Sequence, residues 1–309
     1  MTRLLIVGVP RSGTTWVGRT LGAAAGAVYV NEPDGDHDPW AYRVRRGHPA
    51  GVRLRPGDRS PEVESLWDGA FAGGRRPRSL RARAARYLFA STSIADRWEA
   101  WLGGRETARL RLAAALAEPR EADPHATTVV VKTVRAELAV GWIATRYEPT
   151  VLIVERDPRN VLASWIELGF VRDPREAEAV AAVAAQEWGV TAPDLHGSLL
   201  TRQAFTYAVR AGMLRDALAR NPHWHVVSHE DLCRAPEDAF ADLADRLGLP
   251  WDAAARERLA RADRAGSGYA TERLAAQQPD RWRSRLTPAQ VDEITAVLAA
   301  VPQALPRGA

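Results

Sequence analysis

Near the start of the chain, Gly8-Val9-Pro10-Arg11-Ser12-Gly13-Thr14-Thr15 follows a short apolar run and leads into helical spacing. The spacing is that of the phosphate loop G-x-x-x-x-G-K-[ST], with Thr14 where the lysine would stand. Glycines let a backbone approach its ligand closely, and the N–H groups that open a helix attract anions. Ser12, Thr14 and Thr15 add hydroxyl donors, and Arg11 adds a positive charge. Without the lysine that grips β- and γ-phosphates, the spacing implies a phosphate-bearing ligand other than a hydrolysed nucleoside triphosphate. Trp16, just inside the helix, offers either a face for a base or a side chain for the core.

A second cluster runs from Glu155-Arg156-Asp157-Pro158 to Ser164-Trp165. Arg156 at a strand end and Ser164 two turns into the next helix can converge on a phosphate through charge-assisted hydrogen bonds. An arginine between the two acids argues against a magnesium site there. Lys132 is the only lysine among 42 basic residues, which draws attention to its position. Arg75-Arg76-Pro77-Arg78 with Arg81, Arg83 and Arg86 forms a basic stretch, read either as a solvated face or as a surface for an anionic ligand.

The elements that must carry these residues follow from periodicity. Apolar or β-branched runs at Leu4–Val9, Ala27–Val30, Thr127–Thr133, Val151–Val154 and Trp224–Val227 read as five strands. Helical spacing is expected over Thr14–Ala25, residues 61–117, Glu137–Tyr147, from Pro158 to Arg220, and beyond Pro236. Residues 31–60, rich in Asp, Gly, Pro and Arg, read as a long loop. Strands alternating with helices predict an α/β fold, with about five strands in a P-loop-like parallel sheet flanked by helices. The expected organisation is one domain over residues 1–309, with 31–125 a largely helical insertion that covers an acceptor site. Function in such sheets sits at the carboxyl ends of the strands.

Composition sets the outer limits. The chain has 309 residues, 46% hydrophobic and 26% charged, which fits a globular protein rather than a disordered one. One cysteine, Cys233, permits no internal disulfide and no thiolate metal cluster. A net charge of +4 is too thin to argue nucleic-acid binding by itself. No apolar run suits a signal peptide or a membrane span, so a cytoplasmic location is expected.

Pro10-Arg11-Ser12-Gly13-Thr14-Thr15-Trp16 resembles the P-[KR]-S-G-T-T-W loop of sulfotransferases that use 3′-phosphoadenosine 5′-phosphosulfate (PAPS). The resemblance implies that Arg11, Ser12, Gly13, Thr14 and Thr15 cradle the 5′-phosphosulfate and that Trp16 stacks on adenine. Arg156 and Ser164 resemble the family's 3′-phosphate site, R-[DN]-P-…-S. Ser228-His229-Glu230-Asp231-Leu232 is similar to its Y-E-D-L segment, with His229 for tyrosine, and is expected to cap a strand end. Arg264-Ala265-Gly266-Ser267-Gly268 and Arg281-Trp282-Arg283 look like parts of its R-x-G-x-x-G-x-W element, so Arg281 or Arg283 is expected at the 3′-phosphate.

Lys132-Thr133 matches the family's K-T-H segment, but Val134 replaces the histidine base. Lys132 is expected to reach the sulfuryl oxygens, where a compact ammonium suits better than a planar guanidinium. Asn31-Glu32-Pro33 resembles the E-P segment of carbohydrate sulfotransferases and makes Glu32 the expected general base, with His37 and Asp34 behind it. The resemblance thus implies in-line transfer from PAPS, leaving 3′,5′-adenosine bisphosphate, to a hydroxyl-bearing small-molecule or glycan acceptor. No metal, nucleic-acid partner or membrane span is expected. Two other classes stay open on the residues alone: a variant P-loop phosphotransferase or NTPase, and a non-catalytic module that binds nucleotide or nucleic acid through residues 75–86. Trp40, Trp67, Trp98 and Trp101 read as pocket lining or core.

Overall fold

Apolar runs without alternation become strands where both faces are covered, and the five runs do so here. A computed structural model describes residues 1–264 and 274–301. The strands are β1 (Thr2–Val7), β2 (Ala27–Asn31), β3 (Thr128–Thr133), β4 (Thr150–Glu155) and β5 (His225–Ser228). They form one five-stranded parallel sheet in the order β2-β3-β1-β4-β5. Register is explicit at the two flanks: Asn31 lies opposite Lys132, and Glu155 opposite Ser228. The strand order reverses at β1, and the loop leaving β1 is Gly8–Gly13, as the rule for open α/β sheets requires. Leu4–Val7, Val129–Val131 and Val151–Val154 are buried throughout.

The chain divides into two compact units, Met1–Leu5 with Gly26–Pro149, and Ile6–Ala25 with residues from Thr150 onward. In the first unit the helices Pro61–Phe71, Leu80–Ala90, Ile94–Trp101 and Ala108–Leu116 confirm the helical spacing of 61–117. Ser79, Ser93 and Thr107 cap the last three by accepting N–H bonds from Ala82, Asp96 and Leu110. The helix Leu80–Ala90 packs on Ala108–Leu116, around a core of Tyr42, Phe89, Ala100 and Leu110. Trp67 and Trp101 are buried, which settles them as core.

Residues 31–60 are not all loop. A helix covers Pro39–Arg45, because Asp38 accepts from the N–H groups of Trp40 and Ala41 and Pro39 occupies the first turn. Seven residues are too few for periodicity to show, so the cap was its signal. The helix after the loop ends at Leu21 rather than Ala25, with Gly22 at its cap. The expected helix over Glu137–Tyr147 begins only at Val140.

In the second unit the helix Leu199–Arg220 is the central post, buried from Leu200 to Leu214 apart from Thr201 on its outer side. It packs on the helices Pro158–Leu168, Pro174–Trp188 and Pro288–Ala299. Among the described residues, no helix is long and apolar enough to cross a membrane.

Asp252 caps the helix Ala253–Ala262 and also accepts from the Ala25 N–H (2.7 Å), tying that helix to the end of the first crossover. These backbone N–H bonds hold its carboxyl below the ordinary value. Asp252→Ala is therefore expected to cost about 1 kcal/mol in urea unfolding at pH 7. Because the folded pKa is depressed, the difference between the proteins should shrink as pH falls below about 4, where the native carboxyl protonates.

Candidate active site

The loop after β1 departs from ordinary backbone geometry twice. Gly13 has φ 95°, in the left-handed region, and Arg11, a residue with a Cβ, has φ 75°. Such conformations cost of order 1–3 kcal/mol in non-glycine residues and persist where surrounding contacts enforce them. Here two contacts do so. Trp165 Nε1 donates to the Pro10 carbonyl (2.9 Å), and Arg156 Nη1 donates to the Arg11 carbonyl (3.0 Å). Glycine at position 13 is needed twice over, since a Cβ would lie 2.2 Å from the His229 ring. At Gly8 a Cβ would lie 2.5 Å from Ser12 Oγ.

The helix Thr14–Leu21 starts at Gly13 without a side-chain cap, so its first N–H donors face outward from the loop. Ser12 Oγ is buried and, among the described residues, has no hydrogen-bond partner. Arg11 Nε donates to Ser164 Oγ (3.0 Å). The structure thus joins Arg11, Arg156 and Ser164, the three residues expected to hold anionic groups. Trp16 is half-buried, edge-on to Phe240 (4.9 Å) and His229 (5.5 Å), and Phe240 stacks on Trp251.

Arg156 is buried, and burial draws its guanidinium down to about 10 against the opposing pull of Glu230. Its Nη2 reaches Gln278 Oε1 (3.4 Å), while Nε lies 3.9 Å from Glu230 and makes no hydrogen bond. Glu230 also accepts from the Asp157 N–H and from Asn160 Nδ2, both at 3.2 Å. Asn160 in turn donates to the Pro279 carbonyl (2.7 Å) and accepts from the Trp282 N–H (3.0 Å). Glu230, Asn160 and Gln278 were missed at sequence level, because each acts through a partner distant in the chain.

The turn Arg281–Ser284 separates the two C-terminal candidates. Arg283 is exposed, bonded to Asp280 and laid over Trp282, whereas the Arg281 charge acts on Arg156. Of the Arg264–Gly268 segment, residues from 265 lie outside the described residues.

Within the Ser228–Leu232 segment, Ser228 ends β5 and caps the helix His229–Arg234, its Oγ accepting from the Asp231 N–H (3.3 Å). His229 is buried beneath Gly13, and burial together with Arg156 holds its pKa well below the ordinary value, so it is neutral packing for the loop. Burial pushes the Cys233 thiol up to about 12, which leaves it unreactive.

In the other unit, Lys132 at the end of β3 is 1% exposed and ion-paired with Glu32. Burial would raise the Glu32 carboxyl, but the Lys132 ammonium overrides it and holds the pKa below its ordinary value. Glu32 has φ 42°, another strained non-glycine backbone. Asp34 is turned inward, accepting from Thr133 Oγ1 (2.7 and 2.8 Å), and Arg45 Nη1 donates to its carbonyl (2.9 Å). Asp34 is thus an anchor for the end of β3. Asp36 pairs with both Arg45 and Arg135, whose guanidinium groups each lie 5.6 Å from the Trp101 ring. His37 is exposed, next to Gly35.

The profile described as "Sulfotransferase family" matches residues 3–253. The chain belongs to the sulfotransferase family. A search of curated protein sequences finds no match. Among solved structures, the sulfotransferase domain from the curacin biosynthetic pathway is similar at TM-score 0.47 and 13% identity, covering 99% of both chains. The sulfotransferase domain of the Synechococcus PCC 7002 olefin synthase gives 0.44 and 17%, covering 99% of this chain and 96% of that one. Sulfotransferase STF1 from Mycobacterium tuberculosis H37Rv gives 0.39 and 16%, over 96% of this chain and 76% of that one.

The sulfotransferase's loop depends on glycine at position 13. Gly13→Ala should destabilise the protein by about 1–3 kcal/mol from the left-handed backbone alone, read as a lowered midpoint in urea unfolding. Cys233→Ser should leave activity and alkylation by iodoacetamide of the native protein essentially unchanged.

Proposed function

We propose that this sulfotransferase takes its sulfuryl group from PAPS and delivers it to a hydroxyl of a small-molecule or carbohydrate acceptor. The observation that carries the reading is the strained loop with an uncapped helix start and a buried, unpartnered Ser12 hydroxyl, backed by the buried Arg156. That donor set fits a ligand with two separate anionic groups. The N–H groups of the loop, Ser12, Thr14, Thr15 and Arg11 would hold the 5′-phosphosulfate. Arg156, Ser164 and Arg281 would hold the 3′-phosphate, while Arg283 is exposed and paired with Asp280. Trp16, steadied by Phe240, would face the adenine. Residues 31–125 would supply the acceptor-binding surface.

When bound, the donor supplies the sulfuryl group, and its phosphate keeps the electron pair of the broken S–O bond. The acceptor oxygen forms the new O–S bond, and its proton passes to Glu32. Lys132 stabilises charge on the sulfuryl oxygens, and Arg11 with the helix N-terminus stabilises the leaving phosphate. The Glu32–Lys132 pair couples these tasks. As found, the ammonium keeps Glu32 a weak base. A shift of that ammonium toward the transferring group would free the carboxylate and raise its proton affinity when it is needed.

Calorimetry with 3′,5′-adenosine bisphosphate, run beside Mg·ATP, tests the donor. Tight bisphosphate binding that weakens at least tenfold in Arg156→Ala is the expected result, and preference for Mg·ATP would overturn the reading. Glu32→Gln should lower kcat by about 10²–10⁴ while leaving bisphosphate affinity within about twofold. Because the Glu32 pKa is depressed, kcat/KM should stay level from pH 7 down to about 5, and an acid limb within that range would overturn Glu32 as the base.

A further inference from the structure

None of the residues given a role in holding the donor or moving the proton lies in the arginine-rich stretch, which concentrates positive charge within the 31–125 segment. Residues 75–116 hold ten arginines against three acids, Asp96, Glu99 and Glu106, a net +7. The whole chain carries +4, so the remaining residues sum to −3. Arg81, Arg86 and Arg109 donate to main-chain carbonyls of Ala115, Pro77 and Ser91, bonds that leave their charge uncompensated. Arg76, Arg78, Arg83, Arg105 and Arg111 are exposed. Glu106 pairs with Arg46, outside the stretch, and Glu118 accepts from Ser79.

The same face also exposes apolar side chains. Leu80 is 80% exposed, Ile94 77% and Tyr87 75%. Leu80, Ala84 and Tyr87 follow i, i+4, i+7 along the outer stripe of the helix Leu80–Ala90, while Ala82, Ala85 and Phe89 fill its inner one. Arg81 and Arg83 flank the stripe. Leu112, 49% exposed, comes from the helix Ala108–Leu116 packed alongside. Single exposed apolar residues are ordinary, but Leu80 and Tyr87 on one helix, with Ile94 at the start of the next, set among unneutralised arginines match the chemistry of an interface between water and anionic lipid. A nucleic-acid backbone would engage the arginines and leave Leu80 and Ile94 without a partner.

We propose that this face, centred on Leu80, Tyr87 and Ile94, docks the protein on an anionic phospholipid surface. Its apolar residues enter the headgroup layer, and its arginines engage the lipid phosphates. The inference rests on none of the roles assigned to the loop, Arg156 or Glu32.

Co-sedimentation of the full chain tests it, using vesicles of phosphatidylcholine alone and of phosphatidylcholine with phosphatidylglycerol. Binding is expected only to the anionic vesicles and should fall as salt is raised. Arg76→Gln/Arg78→Gln/Arg83→Gln should weaken it about a hundredfold, from about fivefold per arginine. Leu80→Ser/Tyr87→Ser/Ile94→Ser should abolish it. Both variants should keep the far-ultraviolet circular dichroism and the bisphosphate affinity of the parent protein. No sedimentation with anionic vesicles at low salt would overturn the proposal. So would binding that survives the serine substitutions while single-stranded RNA competes it away.

Discussion

A buried guanidinium tolerates few arrangements, and the donor side of this protein is organised around one, Arg156. Removing a cation from water is costly unless hydrogen bonds and an opposing charge replace the lost solvation. Arg156 meets that demand through the Arg11 carbonyl, Gln278 and the more distant Glu230. Each partner is itself a joint. The Arg11 carbonyl belongs to the strained loop. Glu230 fixes the Asp157 N–H and Asn160, and Asn160 fixes the backbone at Pro279 and Trp282. One charge therefore holds in register the loop after β1, the start of the helix after β4, the helix after β5 and the C-terminal turn.

That economy explains why the loop can be strained and still be ready for a ligand. The backbone at Arg11 and Gly13 is kept in the left-handed region by Trp165, Arg156 and the buried, neutral His229. The Ser12 hydroxyl is left buried without a partner among the described residues, while the Ser12 N–H donates to the Val9 carbonyl (3.0 Å) and helps fix the loop. Neutral His229 suits its place, because a second cation beneath Gly13 would repel Arg156.

The other unit solves a similar problem with a different device. Lys132 and Glu32 neutralise one another in a buried setting, while Asp34, Asp36, Arg45 and Arg135 form a second ring of compensating charges around Trp101. Asp34 is turned inward, its carboxylate accepting from Thr133 at the end of β3. Glu32, like Arg11, holds a non-glycine backbone at positive φ.

The five strands and the loop spacing were legible in the sequence, because each is local: apolar runs and a glycine spacing show within a few residues. Element ends were read less well. The helix Pro39–Arg45 escaped because it is too short for periodicity, and the helix after the loop ended early because glycine stops a helix that alanine would have extended. Only the tertiary structure decided the partners. It gave Glu230, Asn160 and Gln278 to the Arg156 node and packed His229 beneath Gly13. The physical reason is that backbone preference and periodicity act over a turn or a strand. Burial, charge compensation and steric fit are settled here between residues 70 or more positions apart, which no local pattern records.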